Sequence, residues 1–319
     1  MPYRLVVQHP AKSTAGLPLV SALLGGVALI GCPQLLDDDF GISFPQNNPP
    51  TLGPDASAGG SAAAGSAGAA GAAGHGTGGA SGAGSGGTSS EQPSELRALL
   101  AHRYRFEGVG NSIIDSVGSA HGTTAGALQS NGKVALTGSN YVDLPNGILS
   151  SLQSVSFEAW VTWTASPASP ASEWQILFSF GTNIRGEGLQ GSGTTYLALT
   201  PKADSGHVRA SYTLTGYDNE VYADAAAFLP ATAGTQVVMV VDGAQGSLTV
   251  YVDGAPAASR AGLTIDLSAI RDVNNWIGRS QFSEDPNFVG DVLDFRIYGS
   301  ALSAAQVALS HTLGANAEL

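Results

Sequence analysis

A single cysteine, Cys32, stands in 319 residues, so no intrachain disulfide can staple the chain and any core must hold by packing. Basic residues are scarce as well. Thirteen Lys and Arg against 25 Asp and Glu leave a net charge of −12. That balance excludes the electrostatic footprint of a nucleic-acid binder and of a protein that clings to anionic lipid by charge. Helical periodicity is nearly missing, confined to the C-terminus and weakly to residues 94–101. The one long apolar run, residues 15–30, is interrupted by Pro18 and Gly25-Gly26 and is shorter than the roughly 20 residues that cross a bilayer.

Catalytic patterns are missing too. A glycosidase needs two carboxylates flanking the scissile bond, and glucanases built on β-sandwiches set them on one strand as E-x-D-x-x-E, where alternate residues share a face. No such pattern occurs, and the nearest approximation, Asp218-Asn219-Glu220, reads as a solvated loop. The folded part has no G-x-S-x-G nucleophile elbow. HGTTAG, after Ala120, lacks the lysine of a phosphate-cradling loop, and no motif implies a cofactor. His75 has no partner ligands nearby in sequence.

What is present divides the chain into three parts. Residues 1–32 have the form of an export signal: Arg4 and Lys12 at the start, the apolar run, then Leu29-Ile30-Gly31-Cys32. That tetrapeptide resembles the bacterial lipobox, in which the cysteine becomes the lipidated first residue of the mature protein. The sole cysteine falls where lipidation requires its thiol, and two or more acyl chains give stable anchoring. Pro33 and Gln34 follow Cys32 directly, with no aspartate at the position that favours inner-membrane retention, so an outer-membrane or cell-surface address is expected over the inner membrane. Residues 33–94 are expected to be a disordered tether. Within them, residues 56–90 are almost entirely Gly, Ala and Ser and cannot bury enough apolar surface to offset their ordering entropy. About 35 such residues span on the order of 30–35 Å.

Residues 95–319 carry the hydrophobic patterning of one sandwich core. In SVSFEAWVTW, Val155, Phe157, Ala159, Val161 and Trp163 share one face and Ser156, Glu158, Trp160 and Thr162 the other, as in a strand with one face in the core. TQVVMVVDGAQGSLTVYVDG reads as a hairpin turned by Asp242-Gly243 and Gln245-Gly246. In the last strand, residues 289–298, the alternation puts Val292, Asp294, Arg296 and Tyr298 on one face and Leu293, Phe295 and Ile297 on the core face. Ser303 then caps a short helix. Many short strands without βαβ alternation predict an all-β antiparallel sandwich.

Residues 274–303, NNWIGRSQFSEDPNFVGDVLDFRIYGSALS, resemble the closing segment of LamG-like jelly-roll domains in the concanavalin A-like lectin/glucanase superfamily. Gly290, Asp294, Arg296-Ile297-Tyr298 and Ala301-Leu302-Ser303 carry the likeness. RYRFEG at 103–108, DSVGSAHGT at 115–123, YVDLP at 141–145, SVSFEAWV at 154–161 and LTVYVDG at 248–254 extend it in the expected order over residues 97–313. Many relatives have two adjacent acids in the last strand where this chain has Leu293-Asp294, so no role of the first acid is carried over. The resemblance implies a jelly roll that binds glycans or an extracellular protein, with a structural calcium at the sheet rim as a family feature. Oxygen ligands suit that ion, and Asp115, Asp143, Asp285, Asp291 and Asp294 are available. Spacing does not select among them.

Two stretches combine aromatics with groups that satisfy sugar hydroxyls. In residues 279–288 these are Arg279, Gln281, Glu284 and Asp285 with Phe282 and Phe288 between them. In residues 217–222 they are Tyr217, Asp218, Asn219 and Tyr222. The bland alternative for the first is a structural loop in which Arg279 pairs with Glu284 or Asp285 and the phenylalanines cap the core. For the second it is an ordinary hairpin tip. The expected function is therefore a non-catalytic envelope lipoprotein presenting a carbohydrate- or protein-binding module, with a ligand-free structural lipoprotein as the alternative and a glycoside hydrolase-related enzyme behind it.

Overall fold

The computed structural model describes residues 91–319, apart from 165, 167–168 and 232–233. Cys32, the expected signal and nearly all of the expected tether lie outside the described residues. Helix α1 (Glu91–Leu99) comes first, ahead of the Glu95 start expected for the sandwich. Sixteen strands follow: β1 (Leu100–Tyr104), β2 (Ser112–Ile113), β3 (Gly122–Ala125), β4 (Leu128–Ser130), β5 (Lys133–Thr137), β6 (Tyr141–Leu144), β7 (Ser154–Trp163) and β8 (Phe178–Asn183) form the first half. The second half comprises β9 (Gly193–Thr200), β10 (Arg209–Thr213), β11 (Val221–Asp224), β12 (Thr235–Asp242), β13 (Ser247–Val252), β14 (Ala255–Arg260), β15 (Asn274–Ile277) and β16 (Val289–Tyr298), and helix α2 (Ala304–Leu313) closes the order. Neither helix is long and apolar enough to cross a membrane.

The strands form two eight-stranded antiparallel sheets. The first runs β14-β13-β12-β7-β16-β5-β4 with β1 paired to β16, and the second runs β11-β10-β9-β8-β15-β6-β3-β2. An all-β sandwich with a short C-terminal helix is thus what the chain adopts. The expected hairpin is β12–β13, in register from Val237 opposite Val252 to Asp242 opposite Ser247. Its turn is held by Asp242, whose Oδ1 accepts the backbone N–H groups of Ala244 and Gln245, both at 3.0 Å. The core lies between the sheets. Phe157 and Phe295 from the first meet Phe178 and Phe180 from the second, with ring centroids 4.8–6.3 Å apart. Such offset and edge contacts add to the area they bury.

Strand β16 departs from simple alternation. A bulge between Val292 and Asp294 leaves Leu293 without a place in the ladder and shifts the parity of the strand. Val292 therefore faces the core with Phe295 and Ile297, and Leu293 is half-buried, the reverse of the expected placing of that pair. Its opposite face is not solvated either. Asp294, Arg296 and Tyr298 are buried beneath α2 and the residues after it. Ser303 caps α2 in a capping box with Gln306, and Val307 joins Leu96, Leu302 and Tyr298 in a second apolar cluster outside the sheet. Trp160, on the same outer face of β7, stacks on His311 of α2 at 5.8 Å.

Burying charges this way requires partners for every one of them. Arg296 meets Glu158 at 3.1 Å and Asp294 at 2.7 Å, and Arg103 reaches Asp294 at 2.8 Å, so two cations balance two anions. Glu158 also accepts from Trp160, Gln236, Tyr298 and Ser310 at 2.7–2.8 Å. The arginines use their remaining N–H groups on the carbonyls of Gly314, Ala315 and Ala317. Burial, reinforced by the Glu158 charge, pushes the Tyr298 hydroxyl far above its usual value, which keeps it a donor. Replacing Arg296 with Met would leave Glu158 without its cation, while Asp294 keeps Arg103, and should cost about 3–5 kcal/mol of stability. Urea unfolding measures this, and a loss under about 1 kcal/mol would show that the network contributes no more than an exposed pair.

Candidate functional site

Helix α2 and the residues after it cover the middle of the first sheet's outer face, and the aromatic and polar candidates from the sequence lie on the second sheet and its loops. Tyr222, Ser211, Ala198, Ser179, Trp276, Asp143 and Thr123 form one row across that sheet, each opposite the next on neighbouring strands. The row is small in the middle and aromatic or acidic toward its ends. Phe282, from residues 279–288, packs against Ala198 in that middle. The backbone of Gly191 and Ser283 ties this loop to residues 184–192, through Gly191 N–H to Gln281 O and Ser283 N–H to Gly191 O at 2.9 Å each. Gly193 permits the approach, because a Cβ there would come within 2.8 Å of the Phe282 ring.

The two stretches singled out in the sequence meet through Phe282. Its ring stands edge-on to Tyr196 of β9 at 5.5 Å and to Tyr217 at 6.4 Å. Tyr217, Asp218 and Asn219 form a short turn that leaves all three exposed, with Tyr217 at 42%. Tyr222 sits on edge strand β11 instead of in a loop. Its ring carries the Arg209 guanidinium at 3.9 Å, while Trp174 faces the same group at 5.3 Å. Asp224 binds Arg209 through both oxygens at 2.7 Å. Glu220 accepts from Ser211 at 2.9 Å and from the Tyr196 hydroxyl. One rim therefore presents Tyr217, Phe282, Asp218, Asn219 and Glu220 together.

The residues of the 279–288 loop have divided roles. Gln281 is buried and its amide is occupied, donating to Asn274 O at 2.9 Å and accepting from Asn183 and Asn274. Asp285 is buried against Ser280 Oγ at 2.7 Å. Glu284 is exposed, with Ser283 as its hydroxyl partner. Arg279 does not pair with Glu284 or Asp285, contrary to the structural alternative drawn from the sequence. It lies over the rings of Tyr141 at 4.4 Å and Trp276 at 4.2 Å and donates to Gly188 O. Two aromatic faces attract a guanidinium electrostatically, and register brings both to the same side of β6 and β15. Phe288 is a core residue, whereas Phe282 belongs to the outer rim.

The five aspartates considered for calcium scatter. Asp115 accepts the N–H groups of Arg103, Val117, Gly118 and Ala120 and bonds His102 at 2.7 Å. Asp291 pairs with Lys133 at 2.6 Å and Asp294 with the two buried arginines. Among the described residues no three His, Cys, Asp or Glu side chains converge to hold a metal ion. Asp143 is different. It lines a cleft of about 380 Å³ together with His121, Thr123, Asn146 and Glu187, which no sequence motif marked because the residues come from three separate segments.

These features define a jelly-roll sandwich whose second sheet carries aromatic and polar side chains on its outer face. The Laminin_G_3 model, of the concanavalin A-like lectin/glucanases superfamily, matches residues 136–308, and the chain belongs to that superfamily. Among solved structures it is similar to domain 4 of AbnA, a GH43 extracellular arabinanase of Geobacillus stearothermophilus, in complex with arabinotriose. The two share 21% identity over 66% of this chain and 96% of that one, with a TM-score of 0.51. Trypanosoma rangeli sialidase in complex with sialic acid matches at 16% identity over 68% of this chain and a TM-score of 0.51, the matched part being 33% of the sialidase. At such identities the likeness is one of fold. No curated protein matches the chain.

Burial raises the Asp143 carboxyl above its ordinary 3.8, with the Glu187 charge adding to the effect and Trp276 and Arg279 opposing it. The folded state then holds this proton to higher pH than the unfolded chain does. Stability from this group is fully present below 3.8 and is lost as pH rises through the folded value. Asp143→Asn removes the ionisation, so its stability relative to the parent should improve from acid to neutral pH. Urea midpoints on both sides of the window test this, and an unchanged difference would show that the carboxyl is not shifted upward.

Proposed function

We propose that this chain is a non-catalytic, lipid-anchored module of a bacterial cell envelope that binds carbohydrate through the loops over its second sheet. The exposed Tyr217 ring braced by Phe282, with Asp218, Asn219 and Glu220 beside it, carries the reading. An aromatic face stacks on sugar C–H groups while neighbouring acceptors satisfy hydroxyls, the usual division of labour in such sites. The fold shared with an arabinanase domain solved with arabinotriose supports the same ligand class. The missing E-x-D-x-x-E pattern supports binding without hydrolysis. The anchor rests on Cys32 and the residues before it, with the Gly/Ala/Ser segment as a tether reaching outward from an outer membrane or cell surface.

One observation favours a second reading, a structural surface lipoprotein without ligand. Gln281, Asp285 and Arg209, which are polar groups of the right kind, have partners within the fold.

Glycan-array binding of the purified Cys32→Ser chain, with calcium and with chelator, separates the two. A signal is expected, and Tyr217→Ala should weaken it about tenfold, the effect of a truncated aromatic anchor worth ~1.4 kcal/mol. Flat arrays under both conditions would favour the structural reading. For the anchor, Cys32→Ser should move the mature chain from the membrane fraction to the soluble fraction of cells, and retention on membranes would refute lipidation.

A further inference from the structure

The cleft beside β6 lies apart from the rim of Tyr217 and has its own chemistry. Its walls come from the turn before β3, from the end of β6 and from residues 184–192. At about 380 Å³ it falls within the range of small-molecule sites. Asn146 Nδ2 donates to Glu187 Oε1 at 2.9 Å, which joins two of these walls and leaves Asn146 Oδ1 and the second Glu187 oxygen to face outward. His121 Nδ1 accepts the N–H of Asp115 at 3.1 Å, so the neutral ring carries its proton on Nε2. The cleft therefore offers a donor at His121, acceptors at Asn146 and Glu187, and the half-buried Asp143 carboxyl between them.

A second observation lies behind Asp143. Trp276, its cross-strand neighbour on the same face of the sheet, is fully buried, and its indole N–H is directed at the Asp143 carboxyl, short of full hydrogen-bond geometry. That N–H favours the ionised carboxylate and opposes the effect of burial. Arg279, clamped between Tyr141 and Trp276, adds positive charge behind the same carboxylate.

The mixture of groups selects the ligand. Asp143 and Glu187 repel phosphate, sulfate or a sugar acid. Two carboxylates interleaved with N–H donors make a poor cage for a hard cation, which takes six or more oxygen ligands. A neutral polyhydroxy compound fits, because each hydroxyl both donates and accepts. We propose that this cleft is a second sugar subsite that holds one neutral sugar ring through adjacent hydroxyls. These hydroxyls donate to Asp143 and Glu187 and accept from His121 Nε2. The inference rests on the carbohydrate-binding reading but not on the Tyr217 rim, and it makes the module bivalent along one face of the second sheet.

Nuclear magnetic resonance of the full chain carrying Cys32→Ser tests it, with L-arabinose, D-xylose, D-galactose, D-glucose and D-mannose added singly at millimolar concentration. At least one sugar should shift the amide signals of His121, Asn146 and Gly147 and the indole N–H signal of Trp276. Asp143→Asn and Glu187→Gln should each weaken the response at least tenfold, while Tyr217→Ala should leave it intact. Glu187 is exposed, so its variant remains informative if Asp143→Asn perturbs folding. Cleft shifts that survive both carboxylate substitutions would overturn the proposal. Shifts confined to residues 217–220 and 282 would overturn it while leaving carbohydrate binding at the rim in place. No shift at either location, together with flat arrays, would remove both.

Discussion

Four buried charges on the outer face of the first sheet constrain the rest of the molecule. Glu158 and Asp294 face Arg103 and Arg296 in a region from which water is excluded. Charges in such surroundings are tolerated only when every one is matched and hydrogen-bonded. The match needs β7, β16, β1 and α2 at once, together with the carbonyls of residues 314–317. That cover closes the middle of the first sheet's outer face, while its margins at Lys133 and at Thr249 beside Ser259 stay partly open. The aromatic and polar candidates lie on the second sheet and the loops that cross it.

The second sheet carries these candidates unevenly. Its middle row is small, Ser211, Ala198 and Ser179, and Phe282 of the 279–288 loop packs on Ala198. Side chains such as Gln281 and Asp285, polar by nature, hold this loop in place. The exposed candidate groups lie at the margins. On one side Phe282 projects from the loop to brace Tyr217, and on the other Arg279 lies on two rings beside an acidic cleft. A loop that buries its anchoring side chains and projects the rest explains why residues only a few positions apart in it have opposite exposures.

Period-two alternation identified β7 and the β12–β13 hairpin because each strand has one face on the inter-sheet core, and that requirement is local to the strand. It misassigned Val292 and Leu293, since the bulge that inverts them arises where β16 leaves β5 and continues along β7 and β1, a constraint no residue of the strand encodes by itself. The two- to four-residue strands β2, β3, β4 and β11 are too short to show a period. For the site, composition alone pointed to both stretches that now share a rim. Their meeting through Phe282, the stacking of Arg279 on Tyr141 and Trp276, and the cleft around Asp143 all join segments far apart in the chain.

Sequence by itself determined the class of fold and its superfamily, the N-cap at Ser303, and which residues carry aromatic or hydroxyl-satisfying chemistry. Those properties follow from backbone periodicity, turn geometry and side-chain type, each legible within a dozen residues. Tertiary structure alone decided which of those side chains face solvent and which are enclosed. Exposure depends on what a distant segment lays over a sheet: α2 covering Glu158 and Arg296 on one side, and Phe282 packing on Ala198 on the other.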